Sequence, residues 1–275
     1  MGQKVPNFAT PKSQWWHCAE FVALYSYTMI SSIDIVIPVL DEAQTLAAQI
    51  AKLKSFIEHE PELKSNYQIT IADNGSTDNT LEIARELSKK HQDIRVVSVG
   101  KRGVGLALKA AWEDSKCEYV GYMDLDFSTD LHHLIDLECA VNKDFDCVFG
   151  SRLLPKSVVI NRSFKRRITS KVFNAIIRLT FNSVLSDGMC GFKFLKRDNL
   201  NNIYRFGANC DGWFFCTEIT IAAQLAGYNI LEIPINWQDD KKSKVRIPSL
   251  TFEYIVDIIK FRRRIKASTD IRQNL

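Results

Sequence analysis

The chain has 275 residues, enough to bury a full core in one large or two small domains. Its net charge of only +4 gives nucleic-acid binding no global support, and 46% apolar with 25% charged residues is an ordinary globular composition. No apolar run reaches the ~20 residues needed to span a bilayer, and Phe21 to Ile30 lacks the basic start and cleavage pattern of a secretion signal, so the expected compartment is the cytosol.

In chain order, Ile33–Val39 reads as a β-branched strand, Asp41–Ile57 as a helix and Tyr67–Asp73 as a second strand. Thr77 or Asp78 can cap a helix over Asn79–Lys90, and Ile94–Val99 makes a third strand. A helix over Gly105–Ser115 leads to a strand ending at Val120–Met123, Asp130 can cap a helix beginning near Leu131, and Asp146–Ser151 is a further strand. This alternation predicts an α/β fold with a mostly parallel central sheet and helices on both faces. Ligands of such sheets sit at the carboxyl ends of the strands, which places Pro38, Asp73, Asp124 and Arg152 along one edge.

The second half changes character. Phe164–Phe181 reads as a helix with Phe173, Ile176, Ile177 and Phe181 at helical spacing, and positions 152 to 171 hold seven basic residues and no acid. Phe252, Ile255, Val256 and Ile259 form another apolar stripe running into the basic Phe261–Arg264, within a stretch from Lys241 to Leu275 that carries a local +7. Both segments have the pattern of a helix lying in a membrane interface; the alternative is a charged face on a helix whose stripe enters the core.

The chemistry concentrates in short stretches. Asp124 and Asp126 in MDLDFSTD share one face of an extended strand and repel one another. Either the strand simply ends in a polar loop, or the pair holds a divalent cation, Mg or Mn, through hard oxygen ligands. ADNGSTDNT puts Asp73 at a strand end before a tight turn, where it can accept from a base or ribose. KRGVGLAL lacks the third glycine of a dinucleotide fingerprint, which disfavours a nicotinamide dehydrogenase; it fits a backbone bend with Lys101 or Arg102 beside a nucleotide. Seven cysteines without a CxxC pair read as buried free thiols, and the adjacent His132 and His133 as a solvated pair near a helix start.

Taken in order, IPVLDEAQTL, ADNGSTDNT, RGVGLALKAAW, MDLDFSTD, GSR, SDGMCGFK, DGWFFCTE and EIPINWQDD followed by SKVR resemble the family 2 glycosyltransferases of the GT-A fold. The nearest likeness is to the polyprenyl-phosphate hexose synthases, the dolichol-phosphate mannose and glucose synthase group. The resemblance implies an N-terminal extension (1–31), a GT-A domain (32–246) and a basic amphipathic C-terminal helix (247–275). It implies a nucleotide-sugar site at Pro38, Leu40, Glu42, Asp73, Lys101 and Asp124, with Lys244 and Arg246 closing over the diphosphate. It also implies Mg or Mn on Asp126 and Asp124, and an acceptor-phosphate site at Arg152, Arg166 and Ser170. Asp187 can orient the arginines or cap a helix.

Three positions depart from the group's pattern: Cys216 where relatives carry an acid, Ser128 where mannose synthases offer glutamine, and Asn74 in place of a second aspartate. A phosphate monoester is mostly dianionic at neutral pH, with its second pKa near ~6, so such an acceptor needs cations rather than a base. The expected reaction is inverting transfer of a hexose from UDP-glucose or GDP-mannose to a dolichyl or undecaprenyl phosphate. It would take place peripherally at a cytoplasmic membrane face, with a separate membrane-protein partner as a further expectation. Two alternatives stay open: a transferase using a glycan or protein hydroxyl with Glu218 as base, and a catalytically silent membrane-surface scaffold.

Overall fold

The computed structural model describes residues 31–238 and 247–273. Among the described residues, nine strands and eight helices follow one another as β1 (Ser32–Val39), α1 (Leu46–His59), β2 (Asn66–Asp73), α2 (Thr80–Lys90), β3 (Ile94–Ser98), α3 (Val104–Asp114), β4 (Tyr119–Met123), α4 (His133–Val141) and β5 (Cys147–Ser151). Then come β6 (Val158–Ile160), α5 (Phe164–Phe181), β7 (Phe192–Lys196), α6 (Leu200–Arg205), α7 (Phe215–Leu225), β8 (Ile230–Pro234), β9 (Asn236–Gln238) and α8 (Ile247–Gln273). Seven strands form one sheet in the order β3-β2-β1-β4-β7-β5-β8, and β6 pairs with β9 in a small second sheet.

The period of two along β1 explains the layering. Ile33, Ile35, Ile37 and Val39 join Leu46, Ile50 and Leu53 of α1 and Leu134 and Leu137 of α4 in one cluster. Val36 faces the other way, with Val120 and Tyr122, toward α3 and α7. A smaller third cluster joins Ile177 of α5, Phe214, Ile221 of α7, and Tyr254 and Phe261 of α8. Helices therefore cover both faces, as the βαβ pattern predicts.

Strand β7 runs antiparallel to both β4 and β5, while the other neighbours in the large sheet are parallel. No strand is predicted there. Lys193 alternates with Phe192 and Phe194 like a solvent-facing residue, yet it is fully buried. The inserted strand starts at the edge where its parallel neighbours end, so it brings Cys190 and Gly191 between Asp124 and Arg152.

Several expected details differ. Helix α1 begins at Leu46 rather than Asp41, because the N–H groups of Asp41, Glu42 and Ala43 donate to Ser76, Thr80 and Asp78 across the adjacent loop. Along α8 the inward residues are Tyr254, Ile258, Phe261 and Ile265, whereas Ile255 and Ile259 of the expected stripe are about half exposed. Ile176 of α5 is likewise outward. Cys139 is disulfide-bonded, contrary to the expectation of free thiols, since pairing depends on which segments meet in space and spacing does not encode that. Cys117, Cys147, Cys190, Cys210 and Cys216 are free.

Phe261 is the anchor of α8, fully buried against Phe181 and Phe214. Phe261→Ala is expected to destabilise the protein by about 3–5 kcal/mol, read as a lowered urea midpoint.

Candidate active site

The parallel strands β2, β1, β4 and β5 deliver Asp73, Leu40, Asp124 and Arg152 to one edge of the sheet, each at or just past the end of its strand. The loops after β1 and β2 are laced together. Asp41, in the left-handed region at φ 53°, accepts from the N–H of Thr77 at 2.7 Å and from its hydroxyl at 3.1 Å. Glu42 accepts from the Thr45 hydroxyl, and Pro38 and Leu40 are half-buried beside it.

Asp73 is 1% exposed; its two oxygens accept from the Ser76 N–H (3.1 Å) and the Ser98 hydroxyl (2.8 Å). Gly75 has φ +79°, and a Cβ there would lie 2.7 Å from the carbonyl carbon of Lys101, so the loop bearing the exposed Lys101 rests directly on this glycine. Asn74 accepts from the N–H of Gly103, which ties the second and third loops.

Asp124 and Asp126 are not on the strand. Strand β4 stops at Met123, and the pair occupies the turn that follows, with Phe127 at φ 48°. The exposed Asp126 accepts from both the N–H (2.9 Å) and the hydroxyl (2.8 Å) of Ser128, the residue that departs from the mannose-synthase pattern. Asp124 packs against Gly191, where a Cβ would fall 1.9 Å from Oδ2, so any larger residue at 191 would displace the Asp124 carboxylate. Burial, followed by the like charge of Asp126, pushes the Asp124 carboxyl up to about 7, against an opposing pull from Arg152.

Arg152 is gripped from behind. Its Nε and Nη2 donate to Asp187 at 2.7 and 3.0 Å, its backbone N–H donates to the same carboxylate, and its guanidinium lies 4.8 Å from the centre of the Trp237 ring. Burial opposes the charge on Asp187, but the guanidinium outweighs it and holds the carboxyl well below the usual range. Two neighbours fix the loop bearing Asp187. Glu232 of β8 accepts from the N–H and hydroxyl of Ser186, and Asn174 of α5 accepts from the N–H of Gly188 at 2.9 Å.

Arg166, Ser170 and Asn174 recur every fourth residue, so they share the face of α5 that meets this loop. The sequence-predicted acceptor residues are thus on two elements that both contact the 186–188 loop, β5 through Arg152 and Asp187, and α5 through Asn174 and Gly188. Trp237 is positioned in turn by β9, whose Asn236 N–H donates to Nε2 of His133 while Nδ1 of that ring contacts Asp136. His133 is therefore a buried strut rather than a solvated residue, because β9 folds back over it.

Glu218 is fully buried with both oxygens engaged. One accepts from the N–H groups of Asn209 and Cys210, each at 2.7 Å, and the other from Arg264 of α8. It fastens α8 and the 207–210 loop to α7, and a carboxylate so enclosed is not poised to take a proton from an acceptor hydroxyl. Lys244 and Arg246 lie outside the described residues. Lys193, Asn174, Glu232 and Trp237 were missed in the sequence. The apolar neighbours of Lys193 in CGFKFL were the one available signal, since a lysine inside a buried strand needs partners, here the Asp187 carbonyl at 3.3 Å and the Phe149 ring at 4.9 Å.

An acid whose folded-state pKa is raised above its ordinary value contributes stability at low pH that is lost as pH rises through the folded value. For Asp124 that window runs from 3.8 to about 7. Asp124→Asn is expected to remove part of the fall in metal-free stability across that range and to leave a more stable protein at pH 8, measured by urea titration at a series of pH values.

Known proteins bear on this arrangement. The sequence profile of "Glycosyl transferase family 2" matches residues 34–204. Glycosyltransferase AglD of Haloferax volcanii is 32% identical over 219 residues, covering 78% of this chain but only 34% of that protein, so the chain spans about a third of it. A dolichyl-phosphate beta-glucosyltransferase of Dictyostelium discoideum is 28% identical over 243 residues, 84% of this chain and 74% of the relative. Among solved structures, glucosyl-3-phosphoglycerate synthase from Mycobacterium tuberculosis in complex with Mn2+ and uridine-diphosphate-glucose superposes with a TM-score of 0.58 at 18% identity, over 86% of this chain and 79% of that one. That likeness speaks for the fold, the GT-A architecture with its mostly parallel sheet. With more than half its length matched and the strand ends arranged as that fold requires, the chain belongs to glycosyl transferase family 2 and is a glycosyltransferase.

Proposed function

We propose that the protein transfers a hexose, with inversion, from a nucleoside diphosphate sugar to a polyprenyl phosphate. UDP-glucose is the favoured donor, and the reaction takes place at the cytoplasmic face of a membrane. The observation that carries this reading is the buried grip of Asp187 on Arg152 at the same sheet edge as Asp124. Two of the five guanidinium N–H groups are spent on Asp187, and among the described residues the rest have no acceptor. A guanidinium fixed in this way suits a phosphate, which it can meet with a fork of donors. The beta-glucosyltransferase relatives and the UDP-glucose complex of the structural neighbour support glucose and uridine over mannose and guanosine.

The donor set fits a hard divalent cation. Asp124 and Asp126 are carboxylates close enough to interact, and burial, then the like charge of Asp126, raises the Asp124 carboxyl, a cost that a bound dication would offset. Among the described residues no cluster of three or more His, Cys, Asp or Glu side chains could hold a metal, so the remaining ligands would come from the diphosphate and water. Bound there, Mg or Mn would act as a Lewis acid for the charge on the departing diphosphate.

The residues of the chain account for the rest. Leu40, Glu42, Asp73 and Lys101 line the nucleotide side, and Arg152, Arg166 and Ser170 hold the acceptor phosphate opposite. One phosphate oxygen forms a bond to the anomeric carbon as the bond to the diphosphate breaks, and no proton has to be removed first. A hydroxyl acceptor would require a base, and Glu218, the candidate for it, is enclosed by Asn209, Cys210 and Arg264.

The test is to incubate the full chain with Mn, labelled UDP- or GDP-sugars and polyprenyl phosphate, and to count label in the organic phase. Label from UDP-glucose is expected. Asp126→Ala and Arg152→Ala should each lower the rate by about 100-fold or more with folding retained. Glu218→Gln should lower the melting temperature while leaving transfer by the folded fraction largely intact. No lipid-borne label with any donor would overturn the reading.

A further inference from the structure

Helix α5 has two apolar faces, and only one is used. Phe173, Ile177 and Phe181 face inward against Phe214, Tyr254 and Phe261. Phe164, Ile168, Val172, Ile176 and Leu179 follow at spacings of four, four, four and three. At about 100° per residue they fall within a third of the circumference, opposite the core. All five are exposed, Leu179 to 87%, Phe164 to 74% and Val172 to 53%. Val158 and Ile160 of β6, the strand just before α5 in the chain, are also half exposed. The stripe is about 22 Å long at 1.5 Å per residue. Soluble surfaces rarely leave such a continuous apolar strip uncovered without an occupant.

Charge identifies the occupant. Arg167, Lys171 and Arg178 are exposed in a row along one flank of the stripe, and the chain holds no Asp or Glu from 152 to 186. We propose that this outward face of α5 is a docking surface for a bilayer bearing anionic headgroups, the apolar row entering the acyl boundary and the basic row meeting the headgroups. A symmetric pairing of two such stripes would bring two cationic flanks together. Residues 1–30, with two lysines and one glutamate, would not neutralise the row either.

Arg166, Ser170 and Asn174 lie away from the stripe on the inward side. With the stripe seated, they stand roughly one helix diameter, ~10 Å, above the acyl boundary, at headgroup depth. The proposal gains its purpose from the lipid-phosphate acceptor, but its support comes from exposure and charge alone.

The test uses the full chain with no sugar donor and no polyprenyl phosphate, co-sedimented with vesicles of phosphatidylcholine with or without phosphatidylglycerol. Binding to the anionic vesicles and weak binding to the neutral ones are expected. Arg167→Gln with Lys171→Gln should weaken binding about 30-fold, at ~1 kcal/mol per lost cation. Val172→Asp with Leu179→Asp should abolish it without lowering the melting temperature, because both positions are outward. Transfer to a short, detergent-dispersed acceptor is measured in parallel, and both double variants should keep it, which separates failure of docking from failure of the proposed reaction. The proposal is overturned by absence of binding to anionic vesicles, or by unchanged binding in both variants. It is equally overturned if light scattering finds a dimer that the Val172 and Leu179 variant splits, which would assign the face to a second copy.

Discussion

A guanidinium and a carboxylate, Arg152 and Asp187, meet through two side-chain hydrogen bonds and one from the backbone where little water reaches. Taking two ions out of water costs several kcal/mol each, and good geometry roughly offsets that cost, so such a pair is a poor way to gain stability. What it supplies is position. The end of β5 is referred to the loop ahead of β7 by this carboxylate, and Asn174 ties the middle of α5 to the same loop through the Gly188 N–H. Glu232 holds the same loop from β8, so the grip on Arg152 is supported from both sides.

At the other half of the edge the electrostatics run the opposite way. Asp124 and Asp126 are brought together, Ser128 donates its hydroxyl to Asp126, and burial with the like charge raises the Asp124 carboxyl to about 7. An edge that is overcompensated with cations on one side and undercompensated on the other suits a reaction that carries negative charge from an acceptor to a leaving group. Neither half is built from a loop alone. Asp124 and Arg152 each stand one position beyond a buried strand and Asp187 lies in a loop held by β8, which keeps their placement rigid.

Much of this was legible in the sequence because parallel strands announce themselves. Ile33–Val39 and Tyr67–Asp73 are β-branched runs bounded by turn residues, and the rule that ligands sit at strand ends then places Asp73, Asp124 and Arg152 without further information. Less legible were features that depend on which segments meet across the fold. Lys193 reads as a surface residue until its strand is known to lie between two others, and Glu218 reads as a free carboxylate until Arg264, 46 residues later, is seen to close over it. The paired aspartates sit in a turn rather than on one face of a strand, since β4 ends at Met123, as read, and the chain turns at once, with Phe127 in the left-handed region. On α5, periodicity found the inner stripe but mixed in Ile176, which belongs to the outer one.

Strand β7 carries a consequence for how the protein comes into being. Strands β4 and β5 are made before it, yet β5 has no partner in the sheet until β7 or β8 arrives, and β4 waits with one side bare. A nascent chain that has emerged only as far as Asn182 thus bears an open sheet edge of the kind that invites pairing with other chains. It also has an arginine at position 152 without its carboxylate. Closure of the sheet and assembly of the charged edge are one event, so a partly synthesised or clipped chain has neither.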